Sequence, residues 1–155
     1  MGVAGSGKTT IGELLASQLG WEFVDGDTFH SPANIEKMSR GIPLTDSDRF
    51  PWLSSIREAM LQWEAQGKNV VLACSALKQS YRERLLISPK VKLVYLKGSF
   101  QLLQERLRLR HGHYAGEQLL ASQFADLEEP ADAVIVDVAL PKSEIVAQIR
   151  NRLAP

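Results

Sequence analysis

The feature that most constrains this chain is the segment GVAGSGKT at residues 2–9. It matches the pattern G-x-x-x-x-G-K-[ST], in which glycines let backbone N–H groups turn inward around phosphate oxygens. The helix that follows such a loop adds the positive end of its dipole. In this pattern Lys8 contacts the β- and γ-phosphates, and the Thr9 hydroxyl binds Mg²⁺. A chance glycine-rich turn is the alternative, but a helical pattern begins at Lys8, where the motif requires a helix.

The rest of the chain alternates between helical and strand-like patterns. Short apolar segments at 21–24, 69–74, 91–96 and 133–138 predict four strands, and helical periodicity lies between them. We place Ser31 at the start of a helix over 31–41, a loop up to Pro51, and a helix from Trp52. This alternation predicts an α/β domain over residues 1–155, with a parallel sheet and helices on both faces.

One strand of that sheet is apparently missing. A phosphate-binding loop of this kind follows a buried strand, yet only Met1 precedes Gly2. We expect that strand to be central, so its neighbours would lack a hydrogen-bonding partner. Two hypotheses follow: the chain starts at an internal methionine of a longer protein, or it is this short and is unstable or inactive. The intact mass of the endogenous protein would separate them.

Composition excludes several classes of protein. Lysine plus arginine and aspartate plus glutamate both number 18, which argues against a nucleic-acid binder. No apolar run approaches the length of a membrane span, and the N-terminus does not resemble a signal peptide. The single cysteine, Cys74, allows no internal disulfide. We therefore expect a cytoplasmic protein that contacts neither nucleic acid nor membrane.

Two carboxylates, Asp25 and Asp27, follow the first predicted strand. The carboxyl edge of an open α/β sheet is where ligands bind, so one carboxylate is expected at the metal and the other at a substrate hydroxyl. An ordinary Asp-Gly turn is the alternative. We place Thr9 and Asp25 at the metal and Asp27 at the substrate.

Further candidates lie downstream of these carboxylates. His30, Lys37 and Arg49 are possible cations for an anionic substrate, although solvated surface charge is the usual fate of such residues. Ser75 leaves the second predicted strand and is expected to face substrate. An arginine-rich, glycine-flanked segment at about 106–126 suits a lid that closes over the phosphates. In that lid Arg110 is placed at the developing charge and Arg106 on the ATP side.

These motifs together resemble those of gluconokinases, the small P-loop kinases that phosphorylate D-gluconate. The matching segments are GVAGSGKTT, DGDTFHSPANIEKMSRGIPLTDSDRFPWL, CSALKQSYR, VYLKGSF, RLRLRHGHY, SQFADLEEP and VDV, and they cover nearly the whole chain. The block that runs from DGDTFH to FPWL is the specific part. A bare phosphate-binding loop would not separate this family from shikimate or adenylate kinases.

The resemblance implies a nucleoside-monophosphate-kinase-like fold and transfer of phosphate from ATP to the 6-hydroxyl of D-gluconate, with Mg²⁺. It implies that Asp27 orients or deprotonates the attacking hydroxyl, and it suggests a homodimer. A bidentate guanidinium makes Arg49 the preferred partner of the gluconate carboxylate. The residues implied to bind ATP are Gly2, Val3, Ala4, Gly5, Ser6, Gly7, Lys8, Thr9, Thr10 and Arg106.

Two alternatives stay open at this stage. One is a shikimate-like kinase for another small anion. The other is an N-terminally truncated form that binds nucleotide with little turnover, which the missing strand favours and the intact Lys8, Thr9 and Asp27 oppose.

Overall fold

A computed structural model describes residues 1–111 and 114–154 of the chain. The elements in these ranges follow in the order α1 (Lys8–Leu19), β1 (Glu22–Asp25), a 3₁₀ turn (Gly26–Phe29), α2 (Pro32–Ser39), α3 (Asp46–Ala65), β2 (Val70–Ala73), α4 (Gln79–Leu85), β3 (Val94–Lys97), α5 (Phe100–His111), α6 (Tyr114–Asp126), β4 (Val134–Asp137) and α7 (Lys142–Leu153). The alternation predicted from periodicity is therefore confirmed, as is the start of α2 after Ser31, whose Oγ accepts the Asn34 N–H.

The start of α3 was predicted wrongly. The helix begins at Asp46 and passes through Pro51, where a loop was expected. A capping box explains the earlier start, because Thr45 Oγ1 accepts the Asp48 N–H while Asp48 Oδ2 accepts the Thr45 N–H. Proline removes one helical N–H, whose usual acceptor would be the carbonyl of Ser47. That residue is exposed, so water can replace the lost bond.

The four strands form two separate parallel pairs. β1 pairs with β2, with Asp25 opposite Ala73, and β3 pairs with β4, with Lys97 opposite Asp137. The main chain of Met1 lies beside β3: its amino group donates to Val94 O at 2.5 Å, and Met1 O accepts the Leu96 N–H at 2.9 Å. The sheet is thus interrupted between β2 and β3, as the sequence predicts for the position that precedes the phosphate-binding loop.

An apolar groove of about 730 Å³ occupies this interruption. Its walls include β2, the segment 91–94 and one face of α1. Met1 lines the end of the groove that is next to the phosphate-binding loop. Burial there lowers the pKa of the Met1 amino group to about 5. The loop therefore leaves the sheet from between the two strand pairs.

Two clusters of buried side chains hold the helices against the strands. The first joins α1, α5, α6 and α7 to β3 and β4, around Leu103, Val136 and Ile149. The second lies beneath α3 and α4, around Leu53 and Ile56. Between them they place the phosphate-binding loop, the end of β1 and the start of α3 near one another.

Candidate active site

The phosphate-binding loop is curled by two glycines in left-handed conformations. Gly5 has a φ of 77° and Gly7 a φ of 93°, values that other residues adopt only with strain. Within the described chain, the N–H groups of Gly5, Gly7, Lys8 and Thr9 have no protein acceptor. No side chain caps α1, and its first turn has no acidic residue. These free donors and the helix dipole favour an anion at this position.

Lys8 folds back into the same loop. Its Nζ donates to Val3 O at 3.0 Å. Burial lowers the pKa of the Lys8 ammonium, and the nearby carboxylate of Asp27 acts in the opposite direction. A desolvated cation of this kind is stabilised by an anion, so its position suits a phosphate group.

One polar group that sequence reasoning missed also contacts the loop. Gln123, on α6, accepts the Ala4 N–H through Oε1 at 2.6 Å. A lone glutamine in a helix carries no motif, so only the packing of α6 reveals this contact. Ser6 Oγ, within the described residues, is the one buried side-chain oxygen or nitrogen without a hydrogen-bond partner. The loop therefore contains a buried hydroxyl that no group of the described protein satisfies.

The two carboxylates lie at the end of β1. Asp25 Oδ1 accepts the Asp27 N–H at 2.9 Å, which fixes the turn between them. Gly26 allows this turn to pass close to the end of β2, because a Cβ at this position would lie only 2.8 Å from Ala73 O. The Asp27 side chain is 66% exposed. Nevertheless, partial loss of hydration near the surrounding protein raises the pKa of its carboxyl, and the Asp25 charge raises it further. A raised pKa improves a carboxylate as a proton acceptor.

A cavity of about 260 Å³ brings the loop and the carboxylates together. Its polar lining comes from residues 7–10, Asp25, Asp27 and Arg110. Two leucines, Leu107 of α5 and Leu119 of α6, supply apolar walls. The structure thus places the residues predicted for phosphate, metal, hydroxyl and developing charge around one space.

The predicted cations for an anionic substrate lie outside this lining. Lys37 pairs with Asp48, with Nζ 2.9 Å from Oδ2. Arg49 Nη1 donates to Tyr81 Oη at 2.9 Å and to Asp126 Oδ2 at 3.1 Å. Since the other guanidinium nitrogens of Arg49 have no partner in the described chain and are not sealed from solvent, they remain open to a further anion.

His30 adjoins Asp27, with Nε2 3.9 Å from Asp27 Oδ1. Burial lowers the pKa of His30, while Asp27 opposes this and Arg49 adds to it. At neutral pH the ring is therefore a neutral donor rather than the cation that the sequence analysis considered. Ser75 follows β2 and accepts the Gly2 N–H through its carbonyl at 3.3 Å.

The predicted lid consists of the end of α5 and of α6, and its residues 112 and 113 lie outside the described ranges. Arg106 donates through Nη2 to Val138 O at 2.7 Å, so it ties α5 to the loop after β4. Arg106 is absent from the lining of the smaller cavity, whereas Arg110 lines it.

No cluster of three or more His, Cys, Asp or Glu side chains in the described part of the chain is arranged to hold a metal alone. Mg²⁺ normally takes one or two protein oxygens together with phosphate and water. The hydroxyl of Thr9 and the carboxylate of Asp25, which line one cavity, are a donor set of that kind. Among the described helices, none has both the length and the apolar character needed to cross a bilayer.

Comparison with known proteins adds the family. The family model described as shikimate kinase matches residues 4–154. A probable gluconokinase of Mus musculus is 44% identical, in an alignment that covers 99% of this chain and 95% of that protein. The chain belongs to the gluconokinase family. The gluconokinase of Gluconobacter oxydans is 48% identical over 85% of this chain and 75% of its own length.

A solved gluconokinase structure from Sinorhizobium meliloti 1021 extends the family likeness to the fold. It is 47% identical, has a TM-score of 0.85, and covers 96% of this chain and 85% of its own. The predicted gluconokinase resemblance and the P-loop kinase fold are therefore confirmed. Membership of a P-loop kinase family also implies the use of a nucleotide.

Proposed function

We propose that this chain phosphorylates D-gluconate: the γ-phosphoryl group of ATP is transferred to the 6-hydroxyl, giving 6-phospho-D-gluconate and ADP. The observation that carries the proposal is the cavity in which the phosphate-binding loop faces Asp27. The names of the gluconokinase relatives point to the same substrate.

Phosphate binding falls to residues 2–10. The unpaired N–H groups and the N-terminus of α1 would hold the phosphate oxygens, and Lys8 would leave Val3 O for the β- and γ-phosphates. Mg²⁺, held by Thr9 and Asp25, would neutralise charge on the phosphates. Arg110, which lines the same cavity, would stabilise charge on the group in transfer.

Asp27 is the group that acts on the gluconate hydroxyl. The O–H bond breaks as the proton passes to the Asp27 carboxylate, the oxygen forms its bond to the γ-phosphorus, and the bond from that phosphorus to the bridging oxygen of ADP breaks. Asp27 would orient the hydroxyl first and accept its proton as the new bond forms, and its raised pKa suits this role.

Recognition of the gluconate carboxylate is assigned to Arg49. Its Nη1 is engaged by Tyr81 and Asp126, which fixes the plane of the guanidinium. A guanidinium that is already held in place, with nitrogens free to donate, can bind a carboxylate without the entropic cost of ordering the side chain. Lys37, which is paired with Asp48, and Ser75 would have supporting roles in binding the same substrate.

A substrate panel tests the proposal. Purified protein with MgATP is offered D-gluconate, shikimate, D-glucose and no acceptor, and ADP release is measured by a coupled assay. We expect ADP release with D-gluconate well above that with any other acceptor, and 6-phosphogluconate as the product by mass spectrometry. Equal rates with and without gluconate, or preference for shikimate, would reject it. Replacing Mg²⁺ with EDTA should abolish the rate.

Two further assignments belong to this proposal. A cytoplasmic location fits an ATP-consuming reaction, and cell fractionation tests it. The homodimer suggested by the resemblance is tested by light scattering of the purified protein.

A further inference from the structure

A buried amide lies directly behind the carboxylate end of the site. Asn34, in the first turn of α2, is 5% exposed. Its Nδ2 is 2.9 Å from Asp48 O and 3.2 Å from His30 Nδ1. Both contacts are made by the amide nitrogen, so this buried side chain joins the His30 ring to the backbone of α3.

The contact with Asp48 settles which way the amide faces. A backbone carbonyl only accepts hydrogen bonds, so the group 2.9 Å from it must be the NH₂ group. The opposite orientation would set the amide oxygen against the carbonyl oxygen. The orientation therefore follows from Asp48 alone and does not assume anything about His30.

The same NH₂ group then determines where His30 carries its proton. With one amide hydrogen donated to Asp48 O, the other is available to Nδ1 at 3.2 Å. An N–H on Nδ1 would face this donor, so Nδ1 accepts and is unprotonated. A neutral imidazole with a bare Nδ1 holds its proton on Nε2. Nε2 is the nitrogen that faces Asp27, at 3.9 Å from Oδ1.

The indole of Trp52 keeps the ring in this position. The two rings stack with centroids 4.2 Å apart and an angle of 12° between their planes. Trp52 itself is anchored, because its Nε1 donates to Gly26 O at 2.8 Å. The charged groups that act on the His30 ring are Asp27, which raises its pKa, and Arg49, which lowers it.

We propose that Asn34 is a positioning residue that holds His30 as the neutral Nε2–H tautomer, so that the single ring donor points at the acceptor hydroxyl and Asp27. The acceptor's identity rests on the proposed function, whereas the tautomer does not. With the proton on Nε2, His30 donates to a hydroxyl oxygen while Asp27 takes the hydroxyl proton. The reverse tautomer would present a second acceptor there.

The tautomer is measured directly by ¹⁵N NMR of the histidine rings in the native protein without substrate. The chain has three histidines, and His30→Gln identifies the His30 signals. We expect a protonated Nε2 and a bare Nδ1 at neutral pH. A protonated Nδ1 in the native protein would overturn the inference.

Two variants test the role of the amide. Asn34→Asp replaces the donor by an acceptor of the same shape, so we expect His30 to gain a proton on Nδ1 and its titration midpoint to rise by about 1 unit or more. Asn34→Leu removes the donor without adding charge, and it keeps the test open if the first variant unfolds. We expect a mixture of tautomers in this variant. The matched control is Asn151→Asp, an exposed asparagine on α7, which should leave His30 unchanged.

The kinetic readout separates positioning from folding. In folded Asn34→Asp, we expect kcat/KM for D-gluconate to fall about tenfold, the effect of one neutral hydrogen bond, and its pH profile to follow the new His30 midpoint. An unchanged His30 tautomer in both variants, or an unchanged kcat/KM with an altered tautomer, would overturn the proposal. Absence of gluconate turnover in the native protein would instead reject the proposed function and leave the tautomer measurement intact.

Discussion

Substitution of Asp27 by asparagine tests the central chemical assignment most directly. The change keeps the shape of the side chain and removes its capacity to take a proton. Hydroxyl activation of this kind contributes about 10²- to 10⁴-fold, so we expect kcat for gluconate to fall by that factor, or about 2.7 to 5.4 kcal/mol in barrier height.

The surroundings of Asp27 indicate that the fold will tolerate the change. Its side chain is 66% exposed, and within the described chain its carboxylate accepts no hydrogen bond. Burial and then the neighbouring Asp25 charge raise the pKa of Asp27, so the folded protein disfavours the charged carboxylate that the substitution removes. The free energy of unfolding should therefore change by no more than about 0.5 kcal/mol.

The assay compares kcat, the KM for ATP and the urea midpoint of the native protein with those of Asp27→Asn. The control is Asp132→Asn, an exposed carboxylate before β4. The pKa of Asp27 is raised above 3.8. As the pH is lowered, the kcat/KM of the native protein should therefore begin to fall at a higher pH than it would if Asp27 had the pKa of an ordinary aspartate. That acid limb should disappear in Asp27→Asn. Near-normal kcat in a folded variant would refute the role of Asp27 as proton acceptor.

Three further predictions concern recognition and stability. Arg49→Lys loses the planar fork, so the gluconate KM should rise about tenfold or more with the ATP KM unchanged; an unaltered gluconate KM would remove Arg49 from carboxylate binding. Trp52→Phe leaves the buried Gly26 carbonyl without its indole donor, so urea unfolding should show a loss of about 1 to 3 kcal/mol, and a loss below about 0.5 kcal/mol would contradict this. Hydrogen bonds from the Thr45 backbone N–H and then from the Lys37 ammonium lower the pKa of Asp48 to about 2. Since that carboxyl titrates near 3.8 when unfolded, its contribution to stability is full above about pH 4 and is lost as the pH falls through about 2; urea midpoints across this range should fall more steeply in native protein than in Asp48→Asn.

Much of the fold and part of the site could be predicted because their signals are local. The glycines of the phosphate-binding loop, the helical pattern from Lys8 and the Asp25–Asp27 pair each occupy a few consecutive residues. The conformation and the chemistry of such segments are encoded in those same residues. The interruption of the sheet was also predictable, since the sequence has no apolar segment that could form the strand before the phosphate-binding loop.

Only the tertiary structure decided which charged groups are already paired. Arg49 and Asp126 lie 77 positions apart and meet because the fold brings the start of α3 to the end of α6. The contact of Gln123 with the Ala4 N–H joins residues 119 positions apart. Periodicity describes which face of an element is buried, but a pair distance depends on how whole elements pack together.

The difference is clearest at His30. The sequence by itself determined that a histidine follows the two carboxylates and that the loop before them binds phosphate. It left the charge of that histidine open, because the charge depends on neighbours from other elements. The tertiary structure decided it, because the fold buries the ring, which lowers its pKa. It also sets the Asn34 amide of α2 at Nδ1 and stacks the Trp52 ring of α3 on the imidazole.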